Sequence, residues 1–250
     1  MAEAVMIGDI GGISDALGLG DHELVSLVGG GGKTTVLFAL GTQLAGRVVL
    51  TTTTKMGRER MGGHEPLLAP TDEKLLASLR ERRVVLAWRA AADHKALGVE
   101  PQICDCWFGL ADHVVVEADG SRRMPFKAPL DYEPVVPSET TTLVACVGAA
   151  ALGAVISEGC QRPERVAAIA GCSPEDQLTP QRLAAVLLSD QGSRKDCPPS
   201  ARFAVVVNQV RAKHHRDVAE LAGLIAGQAQ LACIAPFSPQ DSPELFGDVQ

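Results

Sequence analysis

Residues 23–35 read Glu-Leu-Val-Ser-Leu-Val-Gly-Gly-Gly-Gly-Lys-Thr-Thr, an apolar run followed by four glycines, a lysine and two threonines. The apolar run predicts a buried strand, and the residues from Lys33 onward predict the first turns of a helix. Glycines let backbone N–H groups close around an anion, and a helix N-terminus adds partial positive charge. A strand, a glycine loop and a helix in this order therefore predict a phosphate-binding loop in an α/β fold.

The residue types of this loop predict its contacts. Lys33 would reach the terminal phosphates of a nucleotide, and the hydroxyl of Thr34 would bind Mg²⁺. The spacing departs from the pattern G-x-x-x-x-G-K-[ST], because Leu27 stands five residues before Gly32. It is close to the variant K-G-G-x-G-K-[ST], with Val28 in place of the first lysine. The residues expected to hold the nucleotide are Gly29, Gly30, Gly31, Gly32, Lys33, Thr34 and Thr35.

Apolar, β-branched runs alternate with helical patterns along the chain. Besides the strand at 24–28, strands are predicted at 48–50, 84–88, 113–116, 143–147, 203–207 and 232–235. Helices are predicted at 33–45, 71–82, 101–111, 163–170, 180–188 and 213–228, with a short one near 13–17. This alternation predicts a mostly parallel sheet with helices on both faces, a three-layer sandwich. We expect one domain over residues 1–250, with 149–200 as an irregular insertion or subdomain.

Two carboxylates and a glycine follow the strand at 113–116. Glu117, Asp119 and Gly120 stand where nucleotide-binding proteins of this type carry the acid that holds Mg²⁺ and a glycine near the γ-phosphate. Either carboxylate could be the metal acid, and the other could orient the attacking nucleophile. A solvated turn is the structural alternative, because Asp-Gly is common in turns. The glycine loop elsewhere in the chain favours the functional interpretation.

Further polar residues follow the strands, and ligands of parallel sheets bind at that edge. Among Thr51–Thr54 we favour Thr53 as a ligand of Mg²⁺ or phosphate, although threonine is also a common strand residue. Lys127 lies between prolines beside the acidic turn, and its charge is predicted to stabilise a transferring phosphoryl group.

The strand at 203–207 leads into Asn208-Gln209-Val210-Arg211, where guanine-specific proteins of this type carry N-K-x-D. Only Asn208 matches, and Arg211 stands in place of the aspartate that would bind the guanine amine. The sequence therefore predicts that Asn208 contacts the nucleotide and that ATP is preferred, without excluding GTP.

The composition argues against several classes of partner. The net charge is −7 and no long basic stripe occurs, so nucleic acid is not expected. No apolar run reaches the roughly 18 residues of a membrane span, and no secretory signal pattern begins the chain. Seven cysteines, an odd number in scattered apolar contexts, fit reduced thiols. We expect a cytoplasmic protein.

Taken together, the motifs resemble those of the YqeC family, accessory proteins of selenium-dependent molybdenum hydroxylases. The matching segments are 28–35, 51–56, 117–121, 127–129, 133–137, 161–164 and 208–210. Asp131 and Arg211 depart from the family pattern, which has a histidine and an acid at these positions. The family is similar to the SIMIBI branch of P-loop NTPases. This resemblance implies a P-loop NTPase-like fold and a homodimer that loads or inserts a metal cofactor.

Three functions agree with these residues. The first is a Mg²⁺-dependent ATPase that gates delivery of a molybdenum or selenium cofactor to a hydroxylase. The second is a small-molecule kinase or ligase, in which residues 118–137 bind the acceptor of the γ-phosphoryl group. The third is a non-catalytic adaptor that uses nucleotide only to choose partners. The first agrees best with the resemblance, and nucleotide binding is common to all three.

Overall fold

A single large sheet organises the computed structural model, which describes residues 5–7, 12–57, 61–92 and 94–234. Within these residues the sheet has nine strands, and every neighbouring pair is parallel. Their spatial order is β1 (Val5–Ile7), β14 (Gln230–Ile234), β13 (Arg202–Asn208), β11 (Thr142–Gly148), β2 (Glu23–Gly29), β9 (His113–Glu117), β3 (Val48–Thr52), β6 (Val84–Trp88) and β5 (Leu67–Leu68). The predicted parallel α/β sheet is confirmed.

Alternate side chains of β2 divide the core between the two faces of the sheet. Val25 and Leu27 pack with α1 (Ile13–Ala16) and α2 (Lys33–Gln43) on one face. Leu24 and Val28 point to the other face, because successive strand residues alternate in direction. That face is covered by α3 (Asp72–Glu81), α4 (Pro101–Phe108), α6 (Pro163–Ala170), α7 (Pro180–Leu188) and α8 (His215–Ile225). Helices therefore lie on both faces, as predicted.

Long elements have bounds close to the predicted ones. The bounds of β6, α6 and α7 agree with the prediction, whereas α2, α4 and α8 are shorter than predicted. Thr179 caps α7 by accepting the N–H of Arg182, and Pro180 occupies the first turn, where no N–H is needed. None of the helices within the described ranges has both the length and the apolar character to cross a membrane. Residue 235, the predicted end of the last strand, lies outside the described residues.

Several short elements add to the predicted ones. β4 (Lys55–Gly57), β7 (Ala90–Ala92) and β8 (Lys95–Leu97) form a small antiparallel sheet after the threonine run. β10 (Phe126–Lys127) pairs with β12 (Cys160–Gln161), which follows α5 (Ile156–Gly159). Strands of two or three residues are too short to show a hydrophobic period, so the sequence pattern did not predict them.

Residues 149–201 connect two neighbouring strands, β11 and β13. This connection contains α5, α6 and α7, and β12 joins it to the loop at 118–137 through β10. It therefore lies beside the acidic turn that follows β9. The arrangement of residues 1–250 as one domain stays a prediction.

Candidate functional site

The glycine loop joins β2 to α2 at the carboxyl edge of the sheet. Gly29, Gly31 and Gly32 have φ angles of 92°, 65° and 106°, in the left-handed region that favours glycine. A Cβ atom on Gly31 would lie 2.0 Å from the backbone nitrogen of Gly148 in β11. Glycine is therefore required at Gly31 both by its backbone angle and by the approach of the neighbouring strand.

The N–H groups of the first three glycines bond within the protein. They donate to Asp119 Oδ2 from Gly29 at 2.9 Å, to Cys146 O from Gly30 at 3.0 Å and to Met124 O from Gly31 at 3.2 Å. These three hydrogen bonds hold the loop in place. The phosphate contacts expected of the three glycines stay a prediction. The first hydrogen bond within α2 runs from Val36 to Gly32, so the N–H groups of Lys33 and Thr35 have no acceptor inside the helix.

The start of α2 meets the acidic turn at the end of β9. Lys33 Nζ lies 3.2 Å from Asp119 Oδ1 and 3.8 Å from Glu117 Oε1, and it donates to Gly29 O at 2.6 Å. The hydroxyl of Thr34 donates to Glu117 Oε2 at 2.9 Å. The fold therefore brings together two pairs of predicted site residues, Lys33 with Thr34 and Glu117 with Asp119, that are far apart in the sequence.

Burial decides the electrostatics of this contact. Lys33 is 3% exposed and Asp119 is 2% exposed. Burial opposes the charge of Lys33, but the carboxylates of Asp119 and Glu117 outweigh it and hold the pKa of Lys33 above its ordinary value. Burial also raises the pKa of the nearby Cys146 thiol to about 12. At neutral pH Lys33 is therefore protonated, and Cys146 is a neutral thiol.

Lys127 lies deeper in the protein than its predicted role requires, with an exposed fraction of 1%. Its ammonium donates to Gly120 O at 2.8 Å and to Glu133 Oε2 at 2.7 Å, and lies 3.0 Å from Asp119 Oδ2. Three acceptors thus surround its three hydrogens. Lys127 supports Asp119 in this structure, and a direct contact with a phosphoryl group stays a prediction.

Glu133 and Arg162, to which the sequence motifs assign no role, complete the cluster. Arg162 reaches Glu133 with Nη1 at 2.9 Å from Oε2 and Nη2 at 3.1 Å from Oε1. Burial opposes the charge of Glu133, but Lys127 and Arg162 outweigh it and lower the pKa of this carboxyl. Both residues lie in segments that match the family motifs, 133–137 and 161–164, but the sequence does not indicate that they contact each other. We call Glu117, Lys33, Asp119, Lys127, Glu133 and Arg162 the ion chain.

Thr53 and Asn208, the other predicted site residues, bond to backbone carbonyls near the loop. Thr53 Oγ1 donates to Val135 O at 2.7 Å, which ties the threonine run to the loop at 118–137. Asn208 Nδ2 donates to Gly31 O at 2.7 Å, so the end of β13 holds the glycine loop. A metal contact of Thr53 and a nucleotide contact of Asn208 stay predictions.

Residues 25–164 of this chain match a family model described as "YqeC protein". The match takes in the glycine loop, the acidic turn and all six members of the ion chain, and it spans more than half of the 250 residues. The chain belongs to the YqeC family. "Uncharacterized protein YqeC" of Escherichia coli (strain K12) is 34% identical over 196 residues, which cover 74% of this chain and 75% of that relative. No solved structure matches this YqeC-family chain with significance.

Proposed function

We propose that this YqeC-family protein binds a Mg²⁺–nucleotide complex at the start of α2 and hydrolyses the nucleotide. The observation that carries the proposal is the contact of Thr34 with Glu117, at 2.9 Å, beside the buried Lys33. A lysine and a threonine that open a helix after a glycine loop are the groups that bind phosphate and Mg²⁺ in nucleotide sites. Here the fold adds the carboxylate that such a site requires.

The donor set fits Mg²⁺. This ion prefers oxygen ligands, and it usually takes one or two from the protein and the rest from water and substrate phosphates. The Thr34 hydroxyl and the Glu117 carboxylate would be the two protein oxygens. When bound, Mg²⁺ neutralises charge on the phosphate oxygens. The contact with Thr34 favours Glu117 over Asp119 as the metal acid.

The remaining groups bind and orient the nucleotide. Phosphate oxygens would replace the acceptors that now surround the Lys33 ammonium, and the N-terminus of α2 would add its N–H groups and partial positive charge. Asp119 accepts the N–H of Gly29 and lies against Lys33, so it fixes the start of the loop. The loop thus approaches the phosphates in a geometry set before binding.

We propose ATP as the nucleotide, because Arg211 occupies the position of the guanine-binding aspartate. The cellular role that we propose is an accessory one, in which hydrolysis gates delivery of a molybdenum or selenium cofactor to a hydroxylase. This role rests on the family resemblance. Turnover stimulated by a hydroxylase apoprotein would support it, whereas a phosphorylated small molecule as product would support the kinase alternative.

Replacement of Lys33 by alanine tests nucleotide binding. We expect Lys33→Ala to weaken MgATP binding about 100-fold or more in isothermal titration, because hydrogen bonds to a charged group contribute roughly 1.5–3 kcal/mol each. Lys74→Ala is the matched control, since Lys74 also stands in the first turn of a helix, α3, but is exposed. Equal affinities of wild type and Lys33→Ala would refute the proposed site.

A further inference from the structure

The ion chain runs without interruption from the glycine loop to α6. Its charges alternate in sign, and successive partners are 3.8, 3.2, 3.0, 2.7 and 2.9 Å apart. It begins at the carboxyl end of β9 and ends at Arg162, the N-cap of α6. Because α6 belongs to the connection between β11 and β13, the ion chain joins this connection to the predicted phosphate loop.

Stability does not account for so many buried ions. Moving an ion from water into a protein costs several kcal/mol, and well-packed apolar residues often replace buried ion pairs without loss of stability. Lys33, Asp119 and Lys127 are each no more than 3% exposed. Clusters of buried, mutually dependent charges occur preferentially at functional sites.

Arg162 carries a backbone cost of its own. Its φ and ψ are 63° and 59°, a left-handed conformation that is unfavourable for a residue with a side chain. In that conformation its planar guanidinium group contacts both carboxylate oxygens of Glu133, and Nη1 also donates to Ala128 O at 3.0 Å. Strained residues of this kind occur where the surrounding structure fixes a functional group.

The contacts of Asp119 show what the far end of the ion chain can control. Asp119 Oδ2 accepts the N–H of Gly29 and lies 3.0 Å from the Lys127 ammonium, while Oδ1 faces Lys33. Lys127 and the start of the glycine loop therefore contact the same carboxylate oxygen, so a displacement of Lys127 would remove a partner of Asp119 next to the loop. Lys127 is itself held by Glu133, which Arg162 grips at both oxygens.

We propose that Glu133 and Arg162 are positioning residues of the nucleotide site, which keep Lys127 on Asp119 and so fix the glycine loop. This inference rests on the function proposed above. When phosphate oxygens bind the Lys33 ammonium, Lys127 is the cation that still neutralises Asp119. Glu133 and Arg162 should therefore affect turnover with nucleotide bound more than they affect the nucleotide-free protein. The same contacts connect the nucleotide state to the helices at 149–201.

The test compares Arg162→Gln with Arg165→Gln. Arg165 lies on the same helix but pairs with Asp131, whose side chain is 92% exposed, so it is a matched control outside the ion chain. We expect Arg162→Gln to lower kcat for MgATP hydrolysis about 10- to 100-fold, the range of residues that orient a functional group. KM should change much less than kcat, and Arg165→Gln should resemble the wild type.

Two further variants separate positioning from charge and from folding. Arg162→Lys keeps the positive charge but loses the guanidinium that contacts both oxygens of Glu133, so its kcat should lie between those of Arg162→Gln and the wild type. If Arg162→Gln does not fold, Arg162→Lys replaces it in the comparison with Arg165→Gln. The double variant Glu133→Gln, Arg162→Gln should lower kcat no further than the less active of the two single variants, because both residues act through Lys127.

The possible failures are distinguishable. A wild-type protein that neither binds nor hydrolyses MgATP would overturn the proposed function, and this inference with it. A wild type that turns over MgATP, with Arg162→Gln and Arg165→Gln equally active, would overturn the positioning role alone. Full activity of Arg162→Lys would reduce the role of Arg162 to its charge and would equally contradict the proposal.

Discussion

The two ends of β2 both bury charge, but in different ways. At the amino end Glu23 is 6% exposed and accepts hydrogen bonds from Gly20 N at 3.0 Å, Arg202 Nη2 at 2.7 Å and Thr142 Oγ1 at 3.0 Å. Its cation, Arg202, keeps 45% of its side chain in solvent. At the carboxyl end, by contrast, two cations and the carboxylate between them are buried together, because Lys33, Asp119 and Lys127 are each no more than 3% exposed.

The amino end of β2 therefore has a structural contact, whereas its carboxyl end has the features of a binding site. Glu23 ties β2 to β11 and β13 through hydrogen bonds from Thr142 and Arg202 to its carboxylate. The carboxyl end joins several buried ions to a loop of glycines with positive φ. Ligands of parallel sheets bind at the carboxyl ends of the strands, so burial of charge at that end indicates function.

The largest effect that would test this comparison is expected from Asp119→Ala. It leaves Lys33 and Lys127 buried without their shared carboxylate, which should lower the free energy of unfolding by about 3–5 kcal/mol. Asp131→Ala, in an exposed pair with Arg165, is the control and should cost about 1 kcal/mol or less. Urea denaturation of both variants gives the values. Equal losses would show that the carboxyl end is no more tightly coupled than the surface.

A smaller effect is expected from Glu23→Gln at the amino end. Loss of the charge that Arg202 and the hydroxyls contact should lower the free energy of unfolding by about 1.5–3 kcal/mol. The MgATP affinity should stay that of the wild type, since this end of β2 lies away from the loop. Weakened MgATP binding in a folded Glu23→Gln protein would show that the two ends are not functionally separate.

The smallest effect concerns pH. Burial opposes the charge of Glu23, but hydrogen bonds from Gly20 and Thr141, the charge of Arg202 and a hydrogen bond from Thr142 hold its pKa below the ordinary 4.5. A carboxyl with a depressed folded pKa stabilises the protein fully above its unfolded pKa, and that stabilisation is lost as pH falls through the folded value.

Wild-type stability should therefore fall more steeply below about pH 4.5 than that of Glu23→Gln, which lacks this titration. Urea midpoints measured from about pH 7 to about pH 3 give the two slopes. Glu133→Gln is the counterpart at the carboxyl end, because the pKa of Glu133 is depressed as well. Parallel curves for wild type and Glu23→Gln would contradict the stabilising role of the ionised Glu23.

Much of the fold could be predicted from sequence patterns. The apolar runs that became β2, β9, β11 and β13 are buried on both faces of the sheet, and such strands are continuous in hydrophobicity. Helices α6 and α7 begin at prolines that mark a first turn. The small sheet of β4, β7 and β8 escaped prediction because its strands have three residues each.

The candidate site was predictable in its parts but not in its connections. Lys33, Thr34, Glu117 and Asp119 follow from residue type and from their positions after strands. Nothing in the sequence assigns Thr34 to Glu117 rather than Asp119, since these carboxylates are two residues apart. The burial of Lys127 was equally hidden, because the loop that contains it is rich in charge and proline.

The sequence by itself determined the longer strands of the main sheet, most of the helices, the glycine loop and the sheet edge at which polar residues gather. Each of these depends on short-range properties: hydrophobic period, β-branching, and the backbone freedom of glycine. Only the tertiary structure decided that Asp119 lies between Lys33 and Lys127 and that Arg162 closes the ion chain on Glu133. Glu133 and Arg162 are 29 positions apart, and the distance between them depends on how whole elements pack. Asp119 and Lys127 are nearer in sequence, but their contact depends on how the charged, proline-rich loop between them folds.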